Sequence, residues 1–130
     1  MGKRTLRGMT QESRSKALLI GKIISMKKAQ NLVILDVRNL SSFTDYFVIC
    51  SGRSIRQVRA LASHVEQTLK GAKLYPLGME GVREGRWVLM DYGEVVIHLF
   101  YEPLRELYDL EGLWSDAPEI SAGRELENSA

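Results

Sequence analysis

Two apolar runs joined by a glycine constrain the fold of this chain more than any other feature. The runs RWVLMDY and EVVIHLF flank Gly93, and such an arrangement is typical of two strands joined by a tight turn. Successive side chains of a strand point to opposite faces of a sheet. The alternation therefore places Trp87, Leu89 and Asp91 on one face, and Val88 and Met90 on the other.

The second run has the same two-sided character. It places Val95, Ile97 and Leu99 on one face and Glu94, Val96, His98 and Phe100 on the other. We expect only one face of each strand to be core. A second helical layer could cover the remaining face, or that face could be an apolar patch with carboxylates nearby, a composition typical of protein-binding surfaces.

The other patterns predict a mixed architecture. They indicate a helix over 13–28 that is capped by Ser13, followed by strands at 32–38 and in DYFVICS. A second helix over 54–71 ends at Gly71 in the left-handed conformation. An edge strand in KLYPLGMEG and a closing helix in EPLRELYDLEGLW, which ends at Gly112, complete the pattern. The first two strands are close enough in sequence to pair antiparallel. The predicted fold class is α/β of the α+β type, a mixed five-stranded sheet with helices packed on it, in the order α-β-β-α-β-β-β-α.

The turn SGRS raises the question of a phosphate site, because it joins a strand to a helix. However, neither the Walker nor the dinucleotide glycine pattern is present. Ser54 and Gln57 fit a capping box, which explains the serine without a ligand. A nucleotidyltransferase would also need closely spaced carboxylates for two metal ions, and Asp36, Asp45 and Asp91 are isolated in sequence.

Titratable residues give no signal for catalysis or for a cofactor. Cys50 is the single cysteine and lies in an apolar run, so it is interpreted as a strand hydrophobe. His64 and His98 are each alone in their elements, and zinc ligands need closer spacing. We expect no enzyme activity, no metal and no cofactor.

Charge and length suggest one domain with two polar ends. The 130 residues carry a net charge of +2, which indicates no broad basic face, so no direct nucleic-acid site is predicted. We predict a disordered basic N-terminus over 1–10, a domain over 11–114 and a disordered acidic tail over 115–130. The apolar residues near the N-terminus are too few for a signal or a membrane span, so we expect a cytoplasmic protein.

Three motifs in combination resemble the Iojap/YbeB family, the ribosomal silencing factors. They are LDVRNLSSFTDYFVICSGRSIRQVRALASHV, PLGMEGVREGRWVLMDYGEVVIHLF and LRELYDLEGLW. The resemblance implies a nucleotidyltransferase-like fold without the metal-binding acids. It also implies a factor that binds the large ribosomal subunit through ribosomal protein L-fourteen, blocks joining of the small subunit and represses translation under nutrient limitation. A factor for assembly or maturation of the large subunit is an alternative that the sequence does not separate from the first.

The resemblance also implies a partner-binding face. It would include Trp87, with Leu89 and Asp91 beside it by alternation, and as weaker members Tyr92, Asp45 and Tyr46. A homodimer through exposed strand faces is a further expectation, and it would compete with the ribosomal partner if both used this face.

Overall fold

The computed structural model describes residues 7–120, with side chains from Glu12 onward. The elements in these residues are α1 (Arg7–Ser25), β1 (Gln30–Asp36), β2 (Tyr46–Gly52), α2 (Ile55–Gly71), β3 (Gly78–Glu80), β4 (Trp87–Asp91), β5 (Val95–Tyr101), α3 (Glu102–Tyr108), α4 (Leu110–Leu113) and β6 (Glu119–Ile120). The predicted fold class is confirmed. The described strands number six rather than five, and the closing helix breaks at left-handed Asp109 rather than ending at Gly112.

The strands form one mixed sheet in the order β3-β4-β5-β2-β1-β6. Its centre is a parallel pair, β2 with β5, and the other neighbours are antiparallel. The predicted antiparallel pairing of the first two strands is confirmed. Gly93, at φ 84°, forms the turn between β4 and β5, where its N–H donates to Asp91 Oδ1 (2.8 Å).

The main core lies between one sheet face and the helices α1 and α2. Its buried members include Ile20 and Ile24 from α1 and Leu61 and Val65 from α2. The strands contribute the side chains predicted for one face, Val88, Met90, Val95, Ile97 and Leu99. Removing these aliphatic groups from water is the main stabilising contribution of the layer.

The opposite sheet face carries a second buried cluster. It comprises Leu35, Val37, Phe47, Ile49, Phe100, Leu110 and Ala117. Our expectation that only one face of each strand is core is therefore wrong. The second helical layer that the sequence left open is present in part, because α3, α4 and the segment after them cover part of the second face. The prediction failed because these covering elements are short and follow the strands at the end of the described chain.

The ends of the helices agree with the sequence signals at one predicted cap and differ from them at two other positions. The capping box of α2 is confirmed: Gln57 N–H donates to Ser54 Oγ (3.0 Å), while Gln57 Oε1 accepts from Arg53 N–H (2.6 Å). The left-handed residue after α2 is Lys73 at φ 64° rather than Gly71. Ser13 does not cap α1, because it is fully buried within that helix.

Regular structure is present on both sides of residues 11–114. Helix α1 already begins at Arg7, and β6 pairs with β1 through Ile34 and Ile120. The N–H of Asp36 also donates to Pro118 O (2.8 Å), which ties residues 115–120 to the sheet. Residues 1–6 and 121–130 of the predicted polar ends lie outside the described residues. Between residues 7 and 120, every helix is too short or too polar to cross a bilayer.

Candidate protein-binding surface

Part of the second sheet face is left uncovered by α3 and α4. Side chains at positions 87, 89 and 91 of β4 are half-buried there, as is Val96 of β5, which pairs with Asp91. Glu80 of β3 pairs with Leu89 and is exposed. We call this surface the open face; its members are Glu80, Trp87, Leu89, Asp91 and Val96.

Trp87 is held firmly on the border between the open and the covered part of the sheet. Its ring centroid lies 4.9 Å from that of Phe100 and 4.9 Å from that of Tyr108. Its indole N–H donates to His98 Nδ1 (3.1 Å). Packing on two rings and a directed hydrogen bond fix the orientation of the indole, so the uncovered part of the ring is presented in one position.

His98 serves this contact as a neutral acceptor. Only 4% of the residue is exposed, and burial lowers the pKa of the imidazole to about 4. A neutral ring that accepts at Nδ1 carries its proton on Nε2. Nε2 is buried without a hydrogen-bond partner in the described part of the chain. The surroundings therefore keep the ring uncharged at neutral pH and available to Trp87.

The carboxylates give the open face a negative edge. Asp91 is half-buried, with Oδ1 accepting from the Gly93 N–H, and Glu80 is exposed. Glu94 lies beyond the turn and forms an ion pair with Lys16, so it contributes less negative charge to this edge. Apolar and aromatic groups with two carboxylates beside them can bind a basic protein surface.

The sequence-predicted residues divide into two groups. Trp87, Leu89 and Asp91 lie together on one face, as alternation predicted. Tyr46 and Tyr92 are buried in the main core, with 0% and 6% exposed, and Asp45 is 7% exposed. These three therefore contribute no exposed side chain to the open face, and Tyr46 and Tyr92 pack in the main core instead.

Two neighbouring residues were missed. Glu80 joins the open face through the register of β3 with β4, and Tyr108 stacks beside Trp87 from α3. Register is not readable from a three-residue strand, so no local signal marked Glu80. The sequence places Tyr108 in the closing helix, but it does not show that this side chain meets Trp87.

The turn at Gly52 has the properties of a helix cap. Ser54 Oγ and Gln57 Oε1 accept the backbone N–H groups of Gln57 and Arg53, which are the donors that a phosphate would otherwise use. The residues described contain no group of three or more His, Cys, Asp or Glu arranged to hold a metal ion. Cys50 is buried beside this turn, and burial raises the pKa of its thiol to about 12.

The fold and the open face together define a small α+β domain that displays an aromatic, acid-edged surface. The chain belongs to the RsfS family, whose model, described as ribosomal silencing factor during starvation, matches residues 10–130. It is 42% identical over 92 residues to the ribosomal silencing factor RsfS of Bacillus subtilis, covering 71% of this chain and 78% of that protein.

Two further comparisons bear on fold and function. A crystal structure of a Chromobacterium violaceum protein superposes with a TM-score of 0.72 at 37% identity, covering 81% of this chain and 85% of that one. The mouse protein named mitochondrial assembly of ribosomal large subunit protein 1 is 32% identical over 96 residues. That match covers 72% of this chain and 42% of the mouse protein.

Proposed function

We propose that this protein binds the large ribosomal subunit in the cytoplasm through ribosomal protein L-fourteen and prevents the small subunit from joining. Translation would thereby be repressed under nutrient limitation. The protein acts by occupying space and catalyses no reaction. Membership of the RsfS family supports the general role, and the observation that carries the site is the half-exposed, firmly oriented Trp87 on the open face.

The open face has the composition expected for such a contact. Tryptophan is enriched among the residues that dominate binding energy, especially when it is pre-oriented and surrounded by groups that exclude water. Leu89 and Val96 lie on the same face and extend the apolar area. Ribosomal proteins are usually basic, so Asp91 and Glu80 would steer the encounter electrostatically.

Steric exclusion requires little of the bound domain. Two large particles that must close on each other cannot do so when a folded body occupies part of their shared interface. The binding free energy is then the only quantity that the factor must supply. Removing the Trp87 side chain from the open face should therefore weaken inhibition of subunit joining to the extent that it weakens binding.

The test is sedimentation of the pure protein with separated ribosomal subunits. We expect co-migration with the large subunit, a reduced yield of joined ribosomes, and at least about 30-fold weaker binding for Trp87→Ala, in line with a binding loss of about 2 kcal/mol for a central tryptophan. Met26→Ala is the matched control, because Met26 is 72% exposed and directly follows α1, on the other side of the sheet.

Two results would contradict the proposal. Normal joining of the subunits at saturating protein would refute the mechanism. Equal inhibition by Trp87→Ala and by the parent, with circular dichroism showing both folded, would refute the site.

The mouse relative favours a second function, because its name refers to assembly of the large subunit. An assembly factor would use the same surface on an immature particle. Comparing affinity for mature large subunits with affinity for assembly intermediates separates the two functions. A homodimer that buries the open face would compete with either partner, and dilution before sedimentation would then increase subunit binding.

A further inference from the structure

Five exposed arginines converge at one end of the sheet. We call them the arginine cluster: Arg53, Arg56, Arg59, Arg83 and Arg86. They come from two segments that are far apart in sequence, the first turns of α2 with the residue preceding its cap, and the loop between β3 and β4. The strand register brings these segments together.

The strands fix the positions of Arg53 and Arg86. Arg53 follows Gly52, which pairs with Tyr101 in the parallel ladder. On the other side of β5, the Tyr101 N–H donates to Arg86 O (2.9 Å). Arg53 and Arg86 therefore lie on either side of β5 near Tyr101, in segments separated by two strand spacings, about 10 Å.

The loop and the helix are also in direct contact. Gly85 lies so close to α2 that a methyl group on it would stand 2.6 Å from Ile55 Cγ2 and 2.9 Å from Arg59 Cγ. Arg83 thus belongs to a loop seated on the start of the helix. Arg56 and Arg59 are three residues apart, a spacing that places them on one side of α2.

This positive charge is not neutralised within the described residues. None of the five guanidinium groups takes part in an ion pair there, and Glu84 is the one carboxylate in the two segments. Five arginines and one glutamate give a net +4, whereas the whole chain carries +2, so the remainder carries −2. The acidic side chains of α3 line a separate groove with Asn31 and Val33 of β1.

We propose that the arginine cluster binds the phosphodiester backbone of RNA. Guanidinium groups recognise phosphate with paired hydrogen bonds, and several of them in one place form the electrostatic footprint of a nucleic-acid contact. The cluster extends over two segments, which suits a chain of phosphates better than one nucleotide. Arg86 directly precedes Trp87, so RNA bound here would border the open face.

The biological setting of this contact rests on the proposed function, since the large subunit offers RNA beside its proteins. RNA binding itself is measurable without the subunit. The probe is a fluorescein-labelled RNA duplex of arbitrary sequence, and the readout is anisotropy at about 50 and about 200 mM salt, a range over which phosphate contacts weaken strongly. The test variant combines Arg56→Gln, Arg59→Gln and Arg83→Gln.

A control variant with the same total charge combines Lys22→Gln, Lys70→Gln and Lys73→Gln, which are exposed lysines on α1 and at the far end of α2. We expect the parent and the lysine variant to bind the duplex with similar salt dependence. In the arginine variant, the magnitude of the negative slope of log affinity against log salt should be smaller by about one for each arginine removed. The arginine variant should also bind large subunits more weakly, while Trp87→Ala keeps its duplex affinity.

Three outcomes would overturn the proposal. They are failure of the parent to bind the duplex at low salt, equal losses in the arginine and lysine variants, and loss of subunit binding by the arginine variant with unchanged duplex binding. The last result would assign the cluster to a protein partner. If no variant binds the subunit, the proposed function fails, and the anisotropy data still decide whether the cluster binds RNA.

Discussion

Substituting Gly81 by alanine should destabilise this protein far more than an ordinary glycine substitution. Gly81 has φ 80°, and a methyl group on it would stand 2.2 Å from the carbonyl oxygen of Trp87. Backbone atoms of β4 cannot rotate away as a flexible side chain can. The loop is also closed by a hydrogen bond from the Gly85 N–H to Gly81 O (2.9 Å), so relieving the clash would disturb the loop that leads into Trp87.

Gly93 provides the comparison that separates the two costs. Its φ is 84°, but a methyl group there would meet only Leu77 Cδ1, at 3.7 Å. Gly93→Ala therefore carries the left-handed backbone cost alone, about 1 kcal/mol. Gly81→Ala adds displacement of the backbone, for a total of about 3 kcal/mol or more.

The measurement is thermal unfolding of both variants and the parent, followed by far-ultraviolet circular dichroism. With about 4 °C lost per kcal/mol for a domain of this size, thermal midpoints should fall by about 4 °C for Gly93→Ala and about 12 °C for Gly81→Ala. Equal losses in the two variants would refute the reasoning, because they would show that the contact with the Trp87 carbonyl has no energetic consequence.

Two further predictions concern buried titratable groups. The pKa of His98 falls from 6.5 to about 4 on folding, so the unfolded chain takes up the proton first as the pH is lowered. The free energy of unfolding should therefore decrease by up to about 3 kcal/mol between pH 6.5 and pH 4. Above pH 6.5 this group should not change it. Urea titrations at several pH values should show a smaller decrease for His98→Gln, and an unchanged decrease would contradict the assignment. Because burial raises the pKa of Cys50 to about 12, a thiol reagent at pH 8 should modify it only as fast as the protein unfolds; stoichiometric labelling of the folded protein within seconds would contradict this expectation.

Features set by neighbouring residues could be predicted from the sequence. The capping box of Ser54 and Gln57 needs only a few residues of context, and the structure confirms it. Alternation in β4 also placed Trp87 and Asp91 on the same face. The same rule could not say which face the helices cover, so it did not reveal that Tyr46 and Tyr92 are buried.

Features set by remote pairing could not be predicted. The two-residue strand β6 is below the length at which a pattern can be recognised, and its place is fixed by pairing with Ile34 and Leu35. The arginine cluster was hidden for a similar reason. Its two segments meet only through the strand order, and a whole-chain charge of +2 gave no sign of a local +4.

The parallel pair at the centre of the sheet determines when the surfaces of this protein can exist. Its register pairs Tyr46 with Val95 and Gly52 with Tyr101. The long chain segment between β2 and β5 must therefore close, at a cost in conformational entropy, before the contacts of the parallel pair can form. Trp87 and the arginine cluster both depend on β5 being in place. A nascent chain that stops short of Tyr101 therefore has neither the complete open face nor the arginine cluster, and both form together once that strand has been synthesised and has paired with its neighbours.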